Sequence, residues 1–385
     1  MQTADWVVLG ISLMLARGGG LLMACGSGRA RFAATAAWRS VLELAVVTVA
    51  VALAAAVVTW WSPQSVPQGG TPLLAGAVLA ASLLSAPAGE RTRTRWTVAV
   101  AVLYGLLVAP LAVVVGAAWV PAFAADVATG WFALTLTAGW VSLLAVLLAG
   151  PREGRFHRDG AISLIPPHQQ PLVVAGLLVL WAGWLGSAVP MTGSASPRLV
   201  LQAGLLTTAA AVLGSTAYGR WRFQRIDVGL LVPGGTAGIL AGMSLGPVLT
   251  EDVGLPGAVM LPLLLGLLTG AAAAWLHLQL ERRLRADDLV GTVAGFLAGP
   301  LLGTLAAATF AEGGRGLFSA AFAAALYTAI AVASALAVLG AVRQLTDVRI
   351  DDAAEYEGLD LTQLDLNAYP DFQQPMIRSS HLREV

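Results

Sequence analysis

The arginines of this chain come in short clusters, and between the clusters run apolar stretches of about 20 residues, the length that crosses a hydrocarbon core. All 22 basic residues are Arg, matched by 22 Asp or Glu, and charged residues make up 11% of the 385 against 57% hydrophobic. An ordinary soluble domain carries roughly a quarter charged residues, so the composition points away from a water-soluble fold. The formal net charge of zero argues against a nucleic-acid partner, and the lone Cys25 cannot form an intramolecular disulfide.

Apolar runs between the clusters predict eleven transmembrane spans, at residues 6–25, 41–61, 73–89, 96–119, 127–148, 171–189, 199–217, 228–249, 258–278, 289–310 and 317–342. These are expected to be helices, because a lipid-facing backbone must satisfy its own hydrogen bonds and the runs lack the alternation of barrel strands. The first run has neither a basic leader nor a small-residue cleavage site, so it reads as a span. The chain divides into a membrane domain over 1–342 and a polar tail over 343–385.

Loops after odd-numbered spans hold Arg29, Arg31 and Arg39; Arg91, Arg93 and Arg95; Arg152, Arg155 and Arg158; Arg220, Arg222 and Arg225; Arg282, Arg283 and Arg285. The opposite loops hold only Arg198 and Arg315. Positive charge stays on the cytoplasmic side, which predicts an outside amino terminus and a cytoplasmic tail in the plasma (inner) membrane. Eleven spans fit two inverted five-helix repeats plus an extra C-terminal helix, an all-α transporter plan. Glycines at Gly18-Gly19-Gly20, Gly234-Gly235 and Gly295 to Gly303 are expected to let helices approach closely. Arg17, well inside the first span, is expected to pair with Glu43; a structural ion pair is the plainer role and a part in the pore the other. Trp60, Trp61, Trp96 and Trp119 at span ends read as interfacial anchors, although Trp119 or Trp131 could instead build an aromatic vestibule.

Four segments resemble the ammonium transporter (Amt/Rh/Mep) family. The tail VRIDDAAEYEGLDLTQLDLNAYPDF, from Val348, keeps the family pattern at Arg349, Gly358, Leu359, Asp360 and Tyr369. DDLVGTVAGFLAGPLLGTLAAATFAE, from Asp287, is similar to the start and core of the tenth span. GPREGRF from Gly150, followed by PHQQPLVVAGLLVLWAGWLG from Pro167, is similar to the loop and sixth span, and APAGER from Ala86 resembles a landmark before the fourth. Their order and spacing cover nearly the whole chain. The resemblance implies a trimer with one narrow pore per subunit, ammonium recognised outside, and a tail that couples subunits and helps dock PII-type signalling proteins.

In the resembled family a Trp, a Phe and a Ser recruit the cation, partly by cation–π attraction, above two stacked Phe gates and two hydrogen-bonded His residues. Alignment through the landmarks places none of these here. The vestibule Trp falls on Gly116, the Phe gates on Gly76 and Ser187, the recruiting Ser on Met191, the first His on Thr135 (with Leu134 as alternative) and the second on Phe296. Asp126 matches the structural Asp of the fifth span. None of the histidines, His157, His168, His277 and His381, is placed to rescue the pair. Ordinary conduction is therefore expected to be lost or altered.

Three functions stay open: a divergent ammonium or ammonia channel, a non-conducting regulatory or sensor subunit that forms homotrimers or joins a conducting paralogue, and a pore repurposed for another small solute. No Walker loop, zinc-ligand cluster or nucleophile triad is present, which argues against an enzyme and leaves no cofactor expected.

Overall fold

Helices form where the apolar runs lie, since an unpaired N–H or C=O in hydrocarbon costs on the order of several kcal/mol. The computed structural model describes residues 3–61, 84–112, 126–157, 159, 161–188, 196–249, 254–310 and 315–370. Among them are α1 (Thr3–Ser27), α2 (Ala33–Trp61), α3 (Thr94–Leu103), α4 (Asp126–Ala149), α5 (Gln170–Ala188), α6 (Pro197–Phe223), α7 (Leu231–Leu245), α8 (Gly254–Leu284), α9 (Val293–Phe310) and α10 (Arg315–Leu345). Two short tail helices follow, α11 (Asp352–Glu357) and α12 (Leu359–Leu364). Among the described residues, eight helices are long and apolar enough to cross a membrane, and Leu134–Ala149 and Val293–Thr309 are shorter apolar segments. Among the described residues extended pairing is confined to two isolated bridges, Thr92 with Arg349 and Phe156 with Ile162.

Packing follows the expected halves. α1 lies along α5 and α4 along α9, so the first helices of the two halves pair, as do the last. A two-fold relation between inverted halves produces that pattern. α6 packs on α7 and α8, α7 packs on α9, and α10 covers α4.

Glycines set the closest crossing. A Cβ added at Gly176 of α5 would lie 2.7 Å from both Gly19 O and Met23 N of α1, and one at Gly183 would lie 2.6 Å from Ala16 Cα. Without lipid-excluding side chains between them, the two backbones gain dispersion contacts that a larger residue would forfeit. Gly18, beside Gly19 in the sequence, has open space around its Cβ position and plays no such part. The stretch from Gly295 behaves like Gly176: a Cβ at Gly299 would meet Ala237 O at 2.6 Å and one at Gly303 would meet Ala241 Cα at 2.6 Å.

Several boundaries differ from the sequence reading. α2 begins at Ala33 rather than residue 41, so Arg39 lies inside the helix and not in a loop. Its guanidinium is satisfied there by Gly89 O at 2.7 Å, Thr92 O at 2.8 Å and Thr94 Oγ1 at 2.9 Å. α9 begins at Val293 rather than residue 289, because Asp288 takes the N–H groups of Gly291 and Val293 at 2.9 and 2.8 Å and Gly291 sits at φ 84°. That carboxylate supplies the partners a first helical turn lacks. The third span's residues 73–83 lie outside the described residues; its end, Ala86–Arg91, is a 3-10 turn containing Pro87 rather than α-helix. In the fourth span α3 continues through a π-helical turn over Tyr104–Val108, and residues 113–119 lie outside the described residues. Trp96 is fully buried, so it is a core residue and not an interfacial anchor, whereas Trp60 is exposed.

Gly176→Leu forces side-chain bulk into the α1–α5 crossing, a strain on the order of 1–3 kcal/mol or more. The expected outcome is a lowered melting temperature in detergent and reduced yield, while Gly18→Ala melts like the parent.

Candidate functional site

Three of the positions aligned with the family's pore, Thr135, Ser187 and Phe296, lie on α4, α5 and α9. Thr135 and Gly139 are one turn apart on α4 and so share a face. That face meets α9 at Phe296, since a Cβ at Gly139 would lie 3.0 Å from Phe296 Cβ. Phe296 is 4% exposed, and its ring stands edge-on to Trp184 of α5 with centroids 5.4 Å apart and planes at 87°. This is the favoured T-shaped arrangement, worth about 0.5–1.5 kcal/mol beyond burial. Ser187, one turn on from Trp184, is buried and donates back to Trp184 O at 2.7 Å. Thr135 and its alternative Leu134 are both buried. Asp126 is the first residue of α4. Gly76, Gly116 and Met191 lie outside the described residues.

The chemistry of this contact is apolar. Phe296 and Trp184 present π-systems, Ser187 spends its hydroxyl on its own helix, and among the described residues no imidazole lies here. His168 and His157 are in the connection before α5, with His168 Nε2 3.0 Å from Tyr369 Oη and His157 Nε2 2.6 Å from Ser163 Oγ. His277 is in the last turns of α8. None of the described side chains at this contact is anionic or basic, so a cation placed against them would lose its water unreplaced, a penalty on the order of several kcal/mol.

Arg17 and Glu43 come together in the membrane, with Nη2 and Oε2 3.3 Å apart and both residues buried. Arg17 Nε also donates to Ser40 O at 2.8 Å, and Ser85 Oγ donates to Glu43 Oε1. The pair thus ties α1 to α2 and to the segment before α3. Sequence reasoning found the pair but not Ser40 and Ser85, whose parts depend on helix registers.

A second, larger network closes the arginine-rich side. Arg152, after α4, donates to Asp287 through Nε at 2.8 Å and Nη2 at 2.9 Å, and to Glu90 through Nη1 at 3.2 Å. Arg91, fully buried, lies 3.7 Å from Asp287 and donates to Asp287 O at 2.7 Å. Arg29 pairs with Glu90 and, at 3.2 Å, with Glu355. Arg349 reaches Glu355 at 2.8 Å and Pro151 O at 2.8 Å. Burial alone would raise the Asp287 carboxyl, but the hydrogen bonds and charge of Arg152, with Arg91 beside it, hold it well below the usual carboxylate range.

The tail motif is built into this floor. Asp360 accepts from Thr35 N at 2.7 Å and Ala34 N at 3.0 Å, which caps α2. Gly358 has φ 102°, and a Cβ there would lie 2.5 Å from Arg31 Cβ, so the turn between α11 and α12 accepts only glycine. Leu359 is buried in the core beneath. A short pairing, Arg93 N to Val348 O at 2.9 Å and Ile350 N to Arg91 O at 3.1 Å, lashes the tail to the segment before α3. The segments APAGER, GPREGRF and DDLVG each supply a corner of the cluster, namely Glu90 with Arg91, Arg152, and Asp287. Their co-occurrence was the signal; which charge meets which was not visible.

Asp287→Asn leaves Arg152 and Arg91 without a carboxylate and is expected to destabilise by about 3–5 kcal/mol. Because the folded-state value of Asp287 is depressed, its contribution is present above the unfolded value near about pH 4 and is lost as pH falls through the folded value. Melting curves across the acid range are expected to show a flatter acid limb for the Asn variant. Arg17→Leu is likewise expected to lower folded yield, and adding Glu43→Leu to recover part of it, since removing both charges leaves neither buried alone. Size-exclusion profiles of the two variants test this.

The sequence profile described as the Ammonium Transporter Family matches residues 64–369. The ammonium transporter Amt2 of Haloferax mediterranei is 29% identical over 328 residues, covering 78% of this chain and 69% of that protein. Amt2 of Archaeoglobus fulgidus is 29% identical over 259 residues, with the match spanning 61% of this chain and 53% of its own length. Among solved structures, a "Sensor Amt Protein" superposes with TM-score 0.78 at 18% identity, covering 93% of this chain and 97% of its own. Candida albicans Mep2 superposes with TM-score 0.71 at 17% identity, covering 97% and 92%. Nitrosomonas europaea Rh50 gives TM-score 0.69 at 16% identity, covering 100% and 98%. With a family profile running from before α3 into the tail and the same helical fold in these structures, the chain belongs to the ammonium transporter family.

Proposed function

We propose that this protein is an ammonium-transporter-type membrane protein whose central path does not pass ammonium by the twin-histidine route, so that conduction is lost or altered. The observation that carries this reading is Phe296, buried against Trp184 and Gly139 where the family pattern calls for a histidine. A phenyl ring has no lone pair with which to accept a proton and pass it on, as an imidazole relay would. Its edge-on packing also occupies the space between α4, α5 and α9.

Family membership supports ammonium or ammonia as the solute to test first. The charge asymmetry of the loops supports a cytoplasmic tail and a plasma-membrane location. A regulatory role, as a homotrimer or beside a conducting paralogue, draws support from the tail: Arg349, Gly358, Leu359, Asp360 and Tyr369 all keep specific partners although the pore positions have changed. A cytoplasmic platform kept in this form suits a protein that reports through its tail, with a PII-type protein as one candidate partner.

Reconstitution into liposomes tests the reading. The expected outcome is no ammonium-evoked current and no methylammonium uptake above protein-free vesicles, with uptake gained when Thr135→His and Phe296→His are combined. Clear uptake by the unaltered protein would overturn the proposal.

A further inference from the structure

Beyond α12 the tail is held by an imidazole. His168, in the connection before α5, is pinned to the end of α1: its N–H donates to Gly28 O and that of Gln169 to Gly26 O, each at 3.2 Å. Its Nδ1 lies 3.0 Å from the same Gly28 O and its Nε2 3.0 Å from Tyr369 Oη, with the two ring centroids 5.5 Å apart. We propose that His168 is a pH-sensitive latch: its protonation tightens the docking of the tail at Tyr369, and a rise in pH on the arginine-rich side loosens it.

The direction follows from what each partner can do. A carbonyl only accepts, so Nδ1 carries a hydrogen in either charge state of the ring. In neutral imidazole Nε2 is then the acceptor, and the Tyr369 hydroxyl donates to it. In imidazolium both nitrogens donate, to Gly28 O and to Tyr369 Oη, and both hydrogen bonds become charge-assisted, which roughly doubles their strength. The docked tail therefore favours the protonated ring. By linkage, docking strengthens as pH falls and weakens as pH rises through the range in which imidazole titrates.

The charged and titratable neighbours support that sign. Asp360 of α12 accepts from Thr35 N and Ala34 N, and its charge reaches Tyr369, where it favours a positive ring. Burial, with Cys25 and Asp360 nearby, pushes the Tyr369 hydroxyl up, so it keeps its proton while the imidazole titrates. Cys25 donates its S–H to Ala33 O at 3.4 Å. Arg29, next to Gly28, pairs with Glu90 and Glu355, and Arg31 donates to Tyr356 O. The tail contacts through Arg349, Glu355 and Asp360 involve no imidazole, so the latch acts on the segment after α12 and leaves the charge cluster in place. An uncharged base such as ammonia takes up a proton where it emerges into water and raises the pH there. The latch would then loosen as ammonia arrives by any route, so it stands apart from whether the central path conducts.

Electron spin resonance of the full chain in lipid nanodiscs tests this, with a nitroxide on Leu366→Cys, a position 53% exposed near Tyr369, while the buried Cys25 stays unlabelled. The ratio of mobile to docked signal is expected to rise about fivefold between about pH 5.5 and about pH 8, the size of one hydrogen bond losing its charge assistance. His168→Gln is expected to flatten that response, and His157→Gln, an exposed histidine of the same connection, to leave it as in the parent. Tyr369→Phe removes the acceptor and is expected to flatten the response as well, which keeps the test open if His168→Gln does not fold. A ratio that is constant with pH, one that falls as pH rises, or a response that survives in His168→Gln or Tyr369→Phe or is lost in His157→Gln would overturn the proposal.

Discussion

The bidentate contact between Arg152 and Asp287 is the interaction on which the arginine-rich side depends. Charges next to hydrocarbon are stable only when paired and hydrogen-bonded, because taking either ion out of water alone costs several kcal/mol as an order of magnitude. Asp287 sits where α8 turns into α9, Arg152 where α4 ends, Glu90 and Arg91 before α3, and Arg29 after α1. One cluster therefore fixes the relative heights of helices from both halves. Glu355 brings the tail into the same cluster through Arg29 and Arg349, so a shift of the tail would disturb the ends of several helices together.

The interior of the bundle obeys a different constraint. Away from the charge cluster, Gly19 and Gly176 hold α1 close to α5, and Gly299 and Gly303 hold α9 close to α7. Phe296 lies apart from the charge cluster, its ring packed on Trp184 and close to Gly139. On the proposed reading, scaffold and permeation chemistry are separable in this fold, and the floor and tail can be kept while the pore residues diverge.

Most of the spans were legible in the sequence because hydrocarbon imposes a length and a composition on any helix that crosses it. The ends were less so. α2 starts early and α9 late for the same reason: a capping carboxylate, Asp360 from the tail for α2 and Asp288 for α9, decides where the first satisfied N–H lies. Arg39 looked like a loop arginine because its three carbonyl and hydroxyl partners come from a segment some 50 residues away. Trp96 looked like an interfacial anchor because position along a span says nothing about which way a side chain faces. At the pore positions, alignment named Thr135, Ser187 and Phe296, but the edge-on packing of Phe296 against Trp184 joins helices over a hundred residues apart and leaves no local trace.

By itself, the sequence determined that this protein is a multi-pass helical membrane protein of a recognisable family, with its arginines clustered between the apolar runs. Those are properties of solvation and composition, which act on each segment separately. Only the tertiary structure decided which charges share a cluster, which glycines are crossing points and which are idle, and what Phe296 rests against. These depend on helix rotation and register, where a one-residue turn of about 100° moves a side chain to another face.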